Sequence, residues 1–237
     1  MFITKSFNLG RSEHITVDRH RFSLPLKEPP MTIIAAAWES DDAILIGVDS
    51  GQTEMPLGLR TIHNHKLQRH ATAPLAWGCA GNPALGIYRF GSWLTQYSWP
   101  PENWEILERD IETKVAEING RQREICRLAG VKAETDDLFC VLVAGWVESE
   151  GRVFEVNDKG NPHRVDRTDR FHAIGSGGVH ANLVNIAFDR IGVNIGGSAL
   201  KRFFVSLNIA ADAAPMCSAP INIIRVSPTG ITEPDPG

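Results

Sequence analysis

The chain lacks the features that mark several large classes of protein. Its four cysteines never occur at the C-x-x-C spacing of zinc and redox sites, so no cysteine-based metal or redox centre is predicted. Basic residues (24) and acidic residues (28) nearly balance, and no long run of one sign occurs, which disfavours binding to nucleic acid or to an anionic membrane. The longest strongly apolar run, residues 138–147, is about half of the roughly 20 residues that span a bilayer. These absences predict a globular, cytoplasmic protein with reduced cysteines.

The first 31 residues differ from the rest of the chain. They are polar and weakly periodic, contain no apolar block of the kind found in secretory signals, and end in Pro29-Pro30-Met31. An apolar run then begins at Thr32. We therefore expect residues 1–31 to be an N-terminal extension or propeptide, residues 32–230 to form one domain, and residues 231–237 to be a flexible tail.

Apolar runs of strand length occur in blocks, and helical periodicity separates the blocks. Strands are predicted at 32–38, 43–49, 60–70, 75–80, 138–147, 153–156, 162–167, 171–174 and 220–226. Helices are predicted at 84–97, from 102 to about 130 with a possible interruption at Gly120, at 181–191 and at 198–211. Strands that arrive in blocks argue against a doubly wound parallel sheet. Because the first strands scarcely alternate, we expect both their faces to be covered, which predicts an α+β fold with a four-layer αββα sandwich.

Residues that could perform chemistry stand at the ends of the predicted strands. Thr32 opens the first strand, Asp49 closes the second, Lys66 belongs to the third and Gly81 follows the fourth. A glycine-rich turn with the sequence GSGG, residues 175–178, lies between a strand and a helix. This turn does not complete the G-x-G-x-x-G pattern of a dinucleotide site, so no cofactor is expected.

In its order and spacing this pattern resembles the proteasome β-subunits, a family of N-terminal-nucleophile hydrolases. It resembles most closely the peptidase subunit of the related bacterial ATP-dependent protease, whose glycine-rich turn also reads GSGG. The similarity covers residues 32–190 well and the last fifth of the chain loosely. It implies a threonine-type peptidase that works in a self-compartmentalising ring of identical subunits, with peptides or unfolded proteins as substrates and an ATP-dependent unfoldase as a possible partner.

The resemblance also assigns roles to individual residues. Thr32 would be the nucleophile, and its own α-amine, with a reference pKa of about 7.7–8.0, would be the base. Lys66 would lie beside Thr32 and lower the proton affinity of that amine, while Asp49 would pair with Lys66. The backbone N–H of Gly81 would face the oxyanion of the tetrahedral intermediate, and Ser176 would hydrogen-bond near the amine.

Two further residues are matched by position near the last helix. Asp212 and Ser218 are the nearest equivalents of an aspartate and a serine that lie close together in the family. The gap between them is longer here and contains Pro215.

The catalytic interpretation requires that Thr32 be the first residue of the mature chain. An internal threonine has an amide nitrogen, which cannot act as a base. Met31 followed by a small residue suits removal by methionine aminopeptidase, so one hypothesis is that Met31 is the true translational start. A propeptide that the protein cuts itself is the second hypothesis.

Two other functions remain open at this point. The chain could be a non-catalytic, proteasome-like structural subunit, in which Asp49 and Lys66 form only a salt bridge. It could instead be a small-molecule amidase of the same superfamily.

Two clusters of residues each have two interpretations. A metal site or an exposed polar edge is considered for three histidines (His63, His65, His70), and local packing or a subunit interface for four aromatic residues (Trp93, Tyr97, Trp99, Trp104).

Overall fold

The computed structural model describes residues 32–54, 59–62, 66–191, 198–214, 217 and 219–235. The strands are β1 (Ile34–Ser40), β2 (Ala43–Asp49), β3 (Gly51–Glu54), β4 (Leu59–Ile62), β5 (Leu67–Arg69), β6 (Leu75–Gly81), β7 (Phe139–Val147), β8 (Glu150–Val156), β9 (Pro162–Arg164), β10 (Phe171–Ile174), β11 (Ile221–Ser227) and β12 (Gly230–Thr232). The helices are α1 (Gly91–Thr95), α2 (Trp104–Leu128), α3 (Gly178–Ile191) and α4 (Ala199–Ala213), with a π-helical segment, Ala84–Phe90, directly before α1.

Two five-stranded antiparallel sheets form the centre of the domain. The first has the order β10-β1-β2-β11-β12 and the second the order β5-β6-β7-β8-β9. All seven residues of β2 are buried, as its unalternating apolar sequence predicts for a strand with neighbours on both faces. In the first sheet the start of β1 pairs with the end of β2, with Ile34 opposite Val48. This antiparallel register places Asp49, the last residue of β2, beside the residues that precede β1.

Three apolar cores separate the four layers. Between the sheets, Ile34 and Ile46 pack with Leu142 and its neighbours. Outside the second sheet, α2 buries a stripe that recurs at three- and four-residue steps: Trp104, Leu107, Ile111, Val115 and Ile118. Outside the first sheet, α3 and α4 cover β1 and β2, where Leu207 and Phe203 are fully buried. The predicted α+β architecture with αββα layers is confirmed.

Some predicted strand boundaries differ from the structure. The strand predicted at 60–70 is interrupted: β4 pairs with β3 in a separate two-stranded sheet, and only β5 joins β6. A flexible tail was expected from residue 231, but β12 continues to Thr232 and pairs with β11. Backbone pairing with β11 orders this short segment, although its sequence carries no strand signal.

Two helical predictions also change in detail. The helix expected at 84–97 is a π-helical segment followed by the short α1. Gly86 faces β6 so closely that a Cβ there would approach the Cys79 Cβ to 2.6 Å, so the absence of a side chain permits this packing. Gly120 does not interrupt α2, which runs unbroken past it.

The aromatic cluster between these helices contributes to the core of the same domain. Trp104 is buried, and Trp93, Tyr97 and Trp99 pack against the core outside the second sheet. This arrangement supports the local-packing interpretation of the cluster. None of the helices in the described ranges is both long enough and apolar enough to cross a membrane.

Candidate active site

The backbone of Thr32 is held by the glycine-rich turn between β10 and α3. The N–H of Gly177 donates to the carbonyl oxygen of Thr32 at 3.1 Å, and the N–H of Thr32 donates to Ser176 Oγ at 3.2 Å. Gly175 has φ of +86°, and a Cβ at that position would collide with the Thr32 carbonyl oxygen. Glycine is therefore required both by the backbone conformation and by the close approach of the turn to Thr32.

A buried ion pair lies next to Thr32. Lys66 Nζ donates to both carboxylate oxygens of Asp49, at 3.1 and 3.2 Å. The side chain of Lys66 is 5% exposed and that of Asp49 is fully buried. The N–H of Ile33 also donates to Asp49 Oδ1, at 2.8 Å. Charges are removed from water at this depth only when they are paired and hydrogen-bonded, and the Asp49–Lys66 pair meets this condition.

The same ammonium group reaches the Thr32 side chain. Lys66 Nζ donates to Thr32 Oγ1 at 3.4 Å, the long end of the hydrogen-bonding range. Thr32 itself is only 9% exposed. A hydroxyl placed beside a buried ammonium can be stabilised as it loses its proton, because the positive charge favours the alkoxide. The structure thus brings together four of the residues that the sequence indicated: Thr32, Asp49, Lys66 and Ser176.

Gly81 ends β6 in a conformation that few other residues adopt. Its φ is +100°, and a Cβ there would collide with the carbonyl oxygen of Leu138 on the neighbouring strand segment. The side-chain amide of Asn119, on α2, fixes the backbone of the next residue, Phe139. It donates to the Phe139 carbonyl oxygen at 2.8 Å and accepts from the Phe139 N–H at 3.1 Å. Gly81 therefore sits in a rigid corner, although its role as an oxyanion donor stays a prediction.

Of the two residues matched near the last helix, the structure describes one. Asp212 lies on an exposed position in the last turn of α4, and no hydrogen bond connects it to the Thr32 cluster. Ser218 lies outside the described residues. Within the described ranges, the site comprises Thr32, its ion pair and the glycine-rich turn.

Sequence reasoning missed Ser50, which follows the ion-pair carboxylate directly. Ser50 is fully buried, its Oγ donates to the carbonyl oxygen of Pro220 at 2.5 Å, and it accepts from Asn222 Nδ2 at 3.0 Å. These bonds tie the end of β2 to the start of β11. The available signal was a second polar residue directly after Asp49, at the end of an otherwise apolar strand.

The histidine cluster gives no metal centre in the part of the chain that the structure describes. His63 and His65 lie outside the described residues. His70 is buried, its Nδ1 accepts from the N–H of Ala73 at 3.0 Å, and its Nε2 lies 3.0 Å from the carbonyl oxygen of Tyr97. Within the described ranges no three potential metal ligands gather at one point. His70 thus fixes the loop between β5 and β6.

Two cysteines near Gly81, Cys79 and Cys140, are poor nucleophiles. Burial raises the pKa of the Cys79 thiol well above its ordinary value. Burial, with a smaller contribution from the charge of Glu155, raises the pKa of Cys140 to about 12. Because the thiolate is the reactive species, neither side chain competes with Thr32 at neutral pH.

Comparisons with known proteins agree with this architecture. No protein-family model matches the chain, and none of the curated proteins compared with it matches by sequence. Among solved structures, a Gly-1 mutant of Anbu from Hyphomicrobium sp. strain MC1 is similar at 16% identity and a TM-score of 0.64, covering 85% of both chains. Anbu from Yersinia bercovieri, described as an ancestral beta-subunit, is similar at 18% identity and a TM-score of 0.62, covering 82% of this chain and 81% of that one.

HslV from Trypanosoma brucei is similar at 19% identity and a TM-score of 0.56, covering 82% of this chain and 99% of that one. At these identities the likeness concerns the fold. The chain has a proteasome-subunit-like fold, shared with these Anbu and HslV structures, as the sequence resemblance implied.

Proposed function

We propose that this protein is a threonine-type amide hydrolase, with peptide bonds as its substrates, and that Thr32 becomes its nucleophile once residues 1–31 are removed. One observation supports this most strongly. The ammonium of Lys66 is buried, held by Asp49 and within 3.4 Å of the Thr32 hydroxyl oxygen. A lysine that served only as a salt-bridge partner would have no need to reach that hydroxyl.

In the proposed reaction the free α-amine of Thr32 accepts the proton from Oγ1 as Oγ1 attacks the substrate carbonyl. The resulting oxyanion is stabilised by the backbone N–H of Gly81. Collapse of the tetrahedral intermediate breaks the C–N bond, and the departing amine takes the proton held by the α-amine. Water then hydrolyses the ester, with the α-amine again accepting and returning the proton. Lys66 remains charged throughout and favours the neutral form of the amine.

The wider proposal follows the family resemblance. The protein would act in the cytoplasm, in a ring of identical subunits, on peptides or unfolded proteins, and an ATP-dependent unfoldase would deliver folded substrates. Three of the similar solved structures are Anbu and HslV proteins, which supports a subunit of this type.

A mechanism-directed label tests the catalytic step. We would express residues 31–237, verify by mass that Met31 has been removed, treat the protein with a threonine-reactive β-lactone and map the adduct. Labelling is expected at Thr32 and should be absent in Thr32→Ala. Thr113→Ala is the matched control, because Thr113 is exposed on α2 and its loss should leave labelling unchanged.

The chain that keeps residues 1–31 supplies the second arm. Its Thr32 nitrogen is an amide, so it should not be labelled. Labelling of this uncut chain at Thr32, or a lack of labelling after Met31 is removed, would contradict the mechanism and favour a non-catalytic structural subunit. Labelling at Thr32 combined with hydrolysis of small amides but not of peptides would instead favour the amidase.

A further inference from the structure

A cavity of about 520 Å³ opens at the end of β1 opposite to Thr32. Its walls come from the turn between β1 and β2, from the segment that leads into β10, and from the facing sides of α3 and α4. None of the residues in the Thr32 cluster lines it. The proposed amide hydrolysis therefore gives this cavity no role.

Two guanidinium groups at this cavity are not committed to ion pairs. Arg167, Arg170 and Arg202 all line it. Arg202 is paired with Asp189 at 2.6 Å, whereas Arg167 and Arg170 have no acidic partner within the described ranges.

The acidic side chains at the cavity do not cancel this charge. Glu39 is committed to Arg225 outside the cavity, through contacts of 2.5 and 2.7 Å. Asp41 is the one lining carboxylate without an ion pair in the described structure. Two available positive charges therefore face one available negative charge, a balance that suits a ligand with a single negative charge.

Arg167 is exposed and makes a cation–π contact with Trp38. Its guanidinium carbon lies 4.4 Å from the centroid of the Trp38 ring. The N–H bonds of a guanidinium lie in its plane, where they can bind a carboxylate through two parallel hydrogen bonds. The indole Nε1 of Trp38 is buried and has no hydrogen-bond partner among the described residues.

Arg170 is held in place by its backbone. It has φ of +52°, in the left-handed region that few arginines adopt, and its carbonyl oxygen accepts from the N–H of Trp38 at 3.1 Å. Strained conformations of this kind persist only where the surrounding structure fixes them, and they are frequent at ligand sites. The surrounding structure, including the hydrogen bond from Trp38, fixes the backbone position from which the Arg170 side chain reaches the cavity.

The cavity also presents an apolar surface. Phe171 and Phe203 form its floor, and the more accessible Ala37 and Ala199 line it beside them. An apolar surface with a few convergent polar groups is the usual composition of a small-molecule site.

We propose that this cavity binds a small organic carboxylate: a single carboxylate group, held by Arg167 and Arg170, on a compact apolar body that packs against Phe171 and Phe203. Inorganic anions would bind more weakly because they lack the apolar body. Neutral analogues would bind more weakly because they leave the guanidinium groups without a counter-charge.

Calorimetric titration of the full chain with 3-phenylpropanoate tests the proposal. We expect saturable binding with one ligand per chain. Arg167→Gln and Arg170→Gln should each weaken it at least about tenfold, the equivalent of one lost charge-assisted hydrogen bond. Arg121→Gln is the matched control, because Arg121 is an exposed arginine on α2, outside the cavity, and its loss should leave the affinity unchanged. A thermal unfolding curve for each variant shows that it is folded.

Two related ligands separate charge from shape. 3-Phenylpropanamide has the same body without the charge, and acetate has the charge without the body; each should bind at least about tenfold more weakly than 3-phenylpropanoate. The proposal is overturned if 3-phenylpropanoate shows no saturable binding. It is equally overturned if the amide binds as tightly as the acid, or if the arginine variants bind as tightly as the unaltered chain. Since the readout is binding, the outcome is independent of whether Thr32 is catalytic.

Discussion

Substitution of Lys66 by methionine probes the ion pair that the site depends on. Methionine is close to lysine in volume and is apolar, so it can fill the same space with little repacking. The substitution removes the ammonium from Asp49, which is fully buried, while the N–H of Ile33 continues to donate to Oδ1. The buried carboxylate must then either keep its charge without the cation 3.1 Å away or take up a proton, and both cost free energy.

The expected loss of stability is large. Breaking a buried ion pair by removing one partner costs about 3–5 kcal/mol. An exposed pair contributes about 0–1 kcal/mol. Single domains have free energies of unfolding of about 5–15 kcal/mol. The Lys66→Met variant should therefore lose a substantial part of its stability but remain folded enough for its free energy of unfolding to be measured. Adding Asp49→Asn should recover about half of the loss or more, because the neutral amide no longer requires a counter-charge and can still accept from Ile33.

Urea titration at pH 7 and constant protein concentration measures these free energies of unfolding. Lys114→Met is the matched control: Lys114 pairs with Glu117 at 2.9 Å, but the two side chains are 27% and 59% exposed, so a change within about 0.5 kcal/mol is expected. The reasoning is refuted if Lys66→Met costs no more than Lys114→Met. It is also refuted if Asp49→Asn added to Lys66→Met lowers the stability further.

Three further predictions concern the surroundings of the site. Gly81→Ala should destabilise the protein by about 3 kcal/mol or more, because the added Cβ collides with the backbone. Gly130→Ala should cost only about 1 kcal/mol, because φ is +73° there but no atom lies within 4 Å of the added Cβ. Thermal unfolding of the two variants tests this difference. Ser50→Ala should cost about 1–3 kcal/mol in urea titrations and lower the rate of β-lactone labelling, and a rate equal to that of the unaltered chain would contradict its positioning role. Burial and a hydrogen bond to Asp110 raise the pKa of Tyr97 to about 12. The phenol of the unfolded chain titrates at about pH 10, so the free energy of unfolding should fall between about pH 10 and 12. An equal fall in the Tyr97→Phe variant would refute the assignment of this fall to Tyr97.

The layers of the fold could be predicted from the sequence because the burial of each element determines its pattern of apolar residues. A strand covered on both faces cannot alternate, and β2 is apolar along almost its whole length. The apolar stripe of α2 likewise indicates a helix with one buried face. By contrast, β3 and β12 are short strands that form through backbone pairing. Backbone pairing leaves no pattern in the side-chain sequence, so these strands could not be predicted from it. The π-helical segment has the same kind of apolar pattern as an α-helix and could not be distinguished from one.

The candidate site could be predicted where residues with reactive or charged side chains stand at the ends of predicted strands. Thr32 and Asp49 stand at the adjoining ends of β1 and β2, which the antiparallel register brings together. Lys66 precedes β5 in the other sheet and reaches both residues through its long side chain. Asp212 was indicated only as the nearest match to an aspartate of the family, and it lies at an exposed position of α4, next to the buried Ala211. Ser50 was overlooked because its partners come from β11, far along the chain.

The anchoring of Thr32 has a consequence for the proposed removal of residues 1–31. Ser176, Gly177 and the Asp49 contact to Ile33 all belong to the body of the domain, and all are in place in the uncut polypeptide. Scission ahead of Thr32 would therefore turn an amide into an amine without needing to relocate the hydroxyl. A zymogen built in this way would mature through a change of charge at one nitrogen, with no refolding step.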